Sequence, residues 1–302
     1  MKTFTPLNPF RTAPRIVPVV LALLGCVVVA ATIDAPYRAQ IEQWRQQREA
    51  GLKADGGWLT VTGLFWLKDG DNTLGSDPSN DILLPDGSPA HLGALKLQSG
   101  HVNFTAAGAG VTLKAEAVTQ TEVRPVGSDV LVAGPLQLLV IKRGERLALR
   151  LKDNNSKARR EFTHLSWYPV QEDWRISAKF IPSSSPTKIV FDTVIGEQET
   201  SESPGYVEFE RGGATYRVQA AGEGRRFFFV IRDQTSGKTT YAASRFLYAD
   251  PPQDGKVILD FNKAENPPCA FTAYATCPLP PPQNRLSLAV TAGEQKYEGS
   301  AH

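Results

Sequence analysis

Cys269 and Cys277 sit eight positions apart in a stretch, residues 259–286, that also holds six prolines. Apart from one cysteine in the N-terminal apolar run they are the only cysteines of the chain. In oxidising surroundings such a pair first suggests a disulfide. Closing so short a loop is worth about 2–3 kcal/mol on the entropic argument. Buried thiols acting as small apolar groups are the alternative. The spacing does not suit zinc, and no metal is expected. As a nucleophile, Cys269 would need His91 or His164 beside it. Asp233, Asp260 and Glu294 are the carboxylates available for acid–base work.

Polar side chains that could orient a ligand gather around the same stretch: Arg245, Asp260, Asn262, Asn266, Asn284 and Arg285. Asn266 precedes a proline and is biased to an extended backbone. The run PLPPP, residues 278–282, favours polyproline II. A segment this stiff loses little entropy on folding, so it holds Asn284 and Arg285 in place without a sheet beneath them. Sites tend to sit on loops held by a rigid scaffold. The competing reading is local: Asn and Asp bond nearby backbone, and Arg285 pairs with Asp260.

These residues need a scaffold, and its pattern is β. After residue 57, short apolar runs recur between Gly, Asp, Asn and Pro turns. Examples are WLTVTGLFWL, LQLLVIKR, RLALRLK, THLSWYPV, KIVFDTVIG, RRFFFVIRD and KVILDF. Such spacing predicts a mainly β chain of two packed sandwich or barrel domains. The polar gap at residues 153–160 divides them, giving 58–154 and 155–302. Residues 35–57 read as a short amphipathic helix and linker, with Tyr37, Ile41, Trp44 and Arg48 on one face.

Lys2, Arg11 and Arg15 precede an apolar run of 18 residues, 16–33, with no acid before Asp34. A basic start and a run close to the ~20 residues that span a bilayer predict an export signal or a membrane anchor. The rest of the chain would then face the periplasm or the cell exterior, or be secreted after cleavage. Residues 23–26, LLGC, imperfectly resemble a lipidation signal at Cys26. A net charge of +2 gives no case for nucleic acid as a partner. No nucleophile elbow, zincin, P-loop or dinucleotide motif occurs, and no cofactor is indicated. Three classes remain: a small-molecule or partner binding module with its site by the 260–286 loop, a hydrolase-like envelope enzyme using the same loop, and a structural envelope protein.

Two resemblances add to this. Gly75, Asn80-Asp81-Ile82 and Ser88-x-x-His91 weakly resemble the core of forkhead-associated domains, β-sandwiches that bind phosphothreonine. Ser76 and Pro89 stand where that family carries arginines, so the resemblance implies the scaffold without the phosphate site. GWLTVTGLFWLKDGDNTLGSDPSNDILLP together with LDFNKAENPPCAFTAYATCPLPPPQNRLSLAVTAGE resembles prokaryotic domain-of-unknown-function family sixteen eighty-four. That resemblance implies no activity.

Overall fold

The computed structural model describes residues 1–3, 34–125, 129–223 and 225–299. The apolar run at 16–33, with Cys26, lies outside them. Among the described residues no helix is long and apolar enough to cross a membrane.

A helix, α1 (Ala35–Lys53), opens the described chain, with a proline in its first turn. Its strands then follow as β1 (Val61–Trp66), β2 (Gly70–Gly75), β3 (Ile82–Leu83), β4 (Gly93–Gln98), β5 (His101–Ala106) and β6 (Val111–Leu113). The first half continues with β7 (Glu116–Ala117), β8 (Gln120–Glu122), β9 (Val130–Ala133), β10 (Leu136–Arg143) and β11 (Arg146–Asp153). One sheet has the order β1-β11-β10-β9-β6-β7, the other β3-β2-β4-β5-β8. Alternation explains their packing. Leu136, Leu138 and Val140 on β10 share a face with Leu147, Leu149 and Leu151 on β11, and bury against Leu74, Leu95 and Phe104 of the other sheet. The result is a sandwich. The opposite face of β10 and β11 carries Arg143, Arg146, Arg150 and Lys152 in register. It is not a free surface: Ala148, on that face, is fully buried.

A short helix, α2 (Lys157–Glu161), follows, its N-cap Ser156 accepting from the Arg159 amide. The second half holds β12 (Arg175–Asp192), β13 (Gln198–Arg211), β14 (Ala214–Glu223), β15 (Arg226–Ile231), β16 (Arg245–Ala249) and β17 (Lys256–Asp260). Its sheet has the order β16-β15-β14-β13-β12-β17, every pair antiparallel. The β13–β14 turn is Gly212-Gly213, with φ of 59° and 78°, the two positive values a two-residue hairpin of this hand requires. The sheet curls until its edge strands β16 and β17 adjoin. Its inner face buries Val207, Phe229, Leu259 and Phe261, and the C-terminal segment closes it with Leu286, Val290 and Ala292.

Two relationships hold the parts together within the compact unit Ile33–His302. The β12–β13 ladder is interrupted between Pro182 and Thr187, and its far end meets the cationic face of the first half. There Arg143 pairs with Glu199 at 3.3 Å and Arg146 with Glu197 at 3.5 Å. Helix α1 docks by Ile41, Arg45 and Leu52, with Trp44 edge-on to Trp167 at 5.5 Å.

Residues 163–170, expected as a strand, make only one isolated bridge, Trp167 to Glu294. Their backbone partners lie elsewhere: the Leu165 amide donates to Glu49, and Tyr168 to the Gly293 carbonyl. This segment is a strap between α1 and the C-terminal segment, so its apolar side chains serve that contact and no sheet.

Candidate ligand cleft

The 260–286 loop is held by its own polar side chains. Pro267 and Pro281 both adopt polyproline II angles, near −66° and 160°. Asn284 accepts from the Gln219 amide at 2.7 Å and donates to the Gln219 carbonyl at 3.0 Å, pinning the loop to β14. Asn262 accepts from the Gln171 amide and donates to the Gln171 carbonyl and Tyr37. Asp260 accepts from Tyr37 at 2.8 Å and caps the turn at Asn262. Asn266 donates to the Gln295 carbonyl, and its own carbonyl accepts from Arg48. Arg245 is fully buried on Asp233 and on the carbonyls of Val290 and Ala292. Arg285 is exposed and donates to the Pro280 carbonyl; it does not meet Asp260, whose basic neighbour is Lys263 at 3.7 Å. A local bond to Pro280 is within reach without bending the loop. These six residues are therefore spread along the loop and β16, not gathered on one cavity.

The two cysteines do come together. Both are buried, free thiols, and the Cys269 amide donates to Cys277 Sγ at 3.2 Å. A shared hydrogen bond holds the Cys269 thiol below its ordinary pKa and the Cys277 thiol above it. Beside Cys269 stands Tyr241, whose hydroxyl donates to the Cys269 carbonyl at 3.1 Å. His91 lies in the first half against Asn80.

In that first half the forkhead-associated motif knits itself together. Ser76 donates to the Ser88 carbonyl, and Asn80 to the carbonyls of Asp77 and Ala90. Gly75 is needed there because a Cβ would lie 2.0 Å from the Ala90 oxygen.

A cleft of about 500 Å³ opens on the outer face of the curled sheet, within the range of small-molecule sites. Phe228, Phe246 and Tyr248 form its floor, with Phe228 4.9 Å from Phe246 and 5.0 Å from Tyr248. Phe191, Glu199, Thr200 and Ser201 come from the β12–β13 hairpin, and Ala221 and Gly222 from β14. Glu265, Pro268, Thr276, Cys277 and Pro278 of the loop form one wall. Arg48 of α1, Trp58 of the turn before β1 and Arg143 of β10 complete it. A more polar depression of about 690 Å³ adjoins it across Tyr248 and includes Asp260. The smaller cleft is the better candidate because its floor is aromatic and its walls come from distant parts of the chain.

The charged side chains that line the cleft, Arg48, Arg143, Glu199 and Glu265, are matched. Arg48 meets Glu265 at 3.5 Å and Glu294 at 3.4 Å. Burial pushes Glu294 up to about 7, against the pull of Arg48 and with help from Glu265. Arg143 meets Glu199 and donates to Thr276 at 2.6 Å. Arg150, only 8 % exposed, has no acidic partner among the described residues. Its Nε and Nη2 are buried without a hydrogen bond. It lies 5.1 Å from the Trp58 ring, and burial first, then Arg143, push it down to about 10.

Sequence reasoning named the loop that walls this cleft but not its floor or its cations. Two signals were present. In RRFFFVIRD three aromatics run together, so one must face away from the core; it is Phe228. In KRGERLALRLKD, Arg146, Arg150 and Lys152 share a strand face and mark it as a contact surface.

Residues 160–295 match the family model described as protein of unknown function (DUF1684). The chain belongs to this family. An uncharacterized protein of Haloarcula marismortui, solved by solution NMR, is 32% identical over 46% of this chain and 80% of that one, with a TM-score of 0.38. The FhaA FHA domain, solved in complex with the intracellular domain of Rv3910, is 15% identical over 30% of this chain and 97% of that one, with a TM-score of 0.21. No curated protein matches the chain. The matched range of this DUF1684 member includes the 260–286 loop and the aromatic floor of the cleft. Arg48, Trp58 and Arg143 lie outside it and come from α1, the turn before β1 and β10.

Proposed function

We propose that this protein is a binding module for a small molecule held in the cleft over Phe228, Phe246 and Tyr248. One observation carries the reading. Three parts of the chain remote in sequence meet over an aromatic surface and leave about 500 Å³ between them. An aromatic surface inside a walled hollow is what a ligand of that size needs. A hydrolytic enzyme is less well supported. Glu294 has the proton affinity for acid–base work but is fully buried. The cleft-facing acids are both beside arginines.

The basic N-terminus and the apolar run at 16–33 support an exported chain, anchored by that run or released from it. The module would then work in the periplasm or outside the cell.

The test is native mass spectrometry of the full chain purified from its own host, with and without Ser201→Phe. Ser201 lines the cleft, is half-buried, and pairs with Ile189, which packs with Ala221 and Phe246, so a larger side chain there enters the cleft. A small molecule should leave with the parent protein and be missing from the variant. The same spectra read the mass of the N-terminus. A parent protein with no bound molecule, or a variant that retains it, would overturn the reading.

A further inference from the structure

We infer that Cys269 and Cys277 form a thiol–disulfide exchange site. Small thiols reach Cys277 from the cleft, and Cys269 is the leaving sulfur, whatever else the cleft binds.

Contact comes first. Both sulfurs are free thiols, and the Cys269 amide donates to Cys277 Sγ at 3.2 Å. Access is the second observation. Cys277 lines the cleft of about 500 Å³ between Thr276 and Pro278. Cys269 lines a separate depression of about 240 Å³ with Tyr241 and Thr272. A crosslink that only stapled the loop would need neither opening.

The third observation is an unanswered charge. Arg150 has two buried nitrogens without an acceptor and no acidic partner among the described residues. A charge so enclosed is balanced from within the protein or not at all. Burial and Arg143 both oppose the charge on Arg150, and Cys277 is the group that favours it. Arg143 is itself taken up by Glu199 and Thr276. Two thiols that share one proton carry the negative charge Arg150 lacks, and a disulfide does not. Arg150 therefore favours the reduced pair and the thiolate released during exchange. On the other side, the Tyr241 hydroxyl donates to the Cys269 carbonyl, and the Cys269 thiol stands below its ordinary pKa. A thiol of lowered pKa leaves faster.

The chemistry balances. The thiolate of an incoming thiol attacks Cys277 Sγ, the bond between the two cysteines breaks, and Cys269 takes the electron pair. A second thiol then attacks the substrate sulfur of the mixed disulfide and releases Cys277. Two thiols become a disulfide, and the pair gains two electrons. Of the two protons given up, one stays on the pair and one goes to water.

The test uses the full chain equilibrated natively with reduced and oxidised glutathione, acid-quenched and read by mass spectrometry. The parent should move reversibly between disulfide and dithiol. Cys269→Ser should trap glutathione on Cys277, and Cys277→Ser should trap it on Cys269 much more slowly. Arg150→Met should shift the equilibrium toward the disulfide at least about tenfold, or about 30 mV for a two-electron couple. Arg150→Lys, which keeps the charge, should stay near the parent. A parent disulfide that opens only after unfolding, or a native Cys269→Ser protein without the adduct, overturns the exchange site. An equilibrium unmoved by Arg150→Met overturns the role given to Arg150.

Discussion

Arg245 donates to Asp233 across 2.5 Å, and neither side chain is exposed. The pair sits at the joint between β16 and the C-terminal segment, since the same guanidinium holds the carbonyls of Val290 and Ala292. Asp233 in turn accepts from the Thr235 amide and hydroxyl and from the Val290 amide. Breaking one side of such a pair leaves an uncompensated charge. Arg245→Met is expected to cost about 3–5 kcal/mol in urea unfolding. Adding Asp233→Asn should recover part of that loss. A single variant within about 0.5 kcal/mol of the parent would show that the pair does not hold the segment.

Glu294 sets a pH dependence whose sign follows from its environment. Burial raises it from 4.5 in an ordinary setting to about 7, with Arg48 opposing and Glu265 reinforcing the shift. The folded protein therefore keeps a proton that the unfolded chain has released. Stability falls as pH rises from about 4.5 to about 7, by at most about 1.4 kcal/mol per pH unit, and levels off above. Glu294→Gln should melt with the parent at pH 5 and above it at pH 8. Parallel melting curves across that range would contradict this.

Cys269 and Cys277 are placed to bond in an oxidising compartment. Both thiols would give up their protons, and two electrons would pass to a disulfide oxidant. Protein held in an oxidising compartment and then unfolded without reductant is expected to take up no iodoacetamide at either position. Serine at both should lower stability by about 2–3 kcal/mol. Alkylation of both sulfurs without prior reduction would show that proline stiffness and packing alone hold the loop.

The polar residues of the loop show how far local reasoning reaches. The polyproline backbone around Pro267 and Pro281 was legible because a ring fixes φ wherever the residue stands. The cap from Asp260 to Asn262 was legible for the same kind of reason, being a bond between near neighbours. Arg285 was expected on Asp260 and is found on the Pro280 carbonyl. Nothing local distinguishes two acceptors that differ only in where the chain has folded. Strands divide in the same way. LQLLVIKR alternates and is β10, whereas THLSWYPV carries apolar residues for a strap under α1. The sequence records that those residues are buried but not against what.

Composition and periodicity by themselves determined a mainly β chain, a basic N-terminus ahead of an apolar run, and a stiff proline loop bearing two cysteines. Each is a property of residues within a few positions of one another, where backbone sterics and side-chain alternation act directly. Only the tertiary structure decided that Phe228 faces a cleft, that Glu294 is buried beside Arg48, and that Arg150 lies under Trp58 without an acid. Those facts depend on which distant segments exclude water from a side chain. Burial and charge pairing are sums over neighbours in space, and the neighbours of Arg150 come from β1's approach, β10 and a loop more than a hundred residues away.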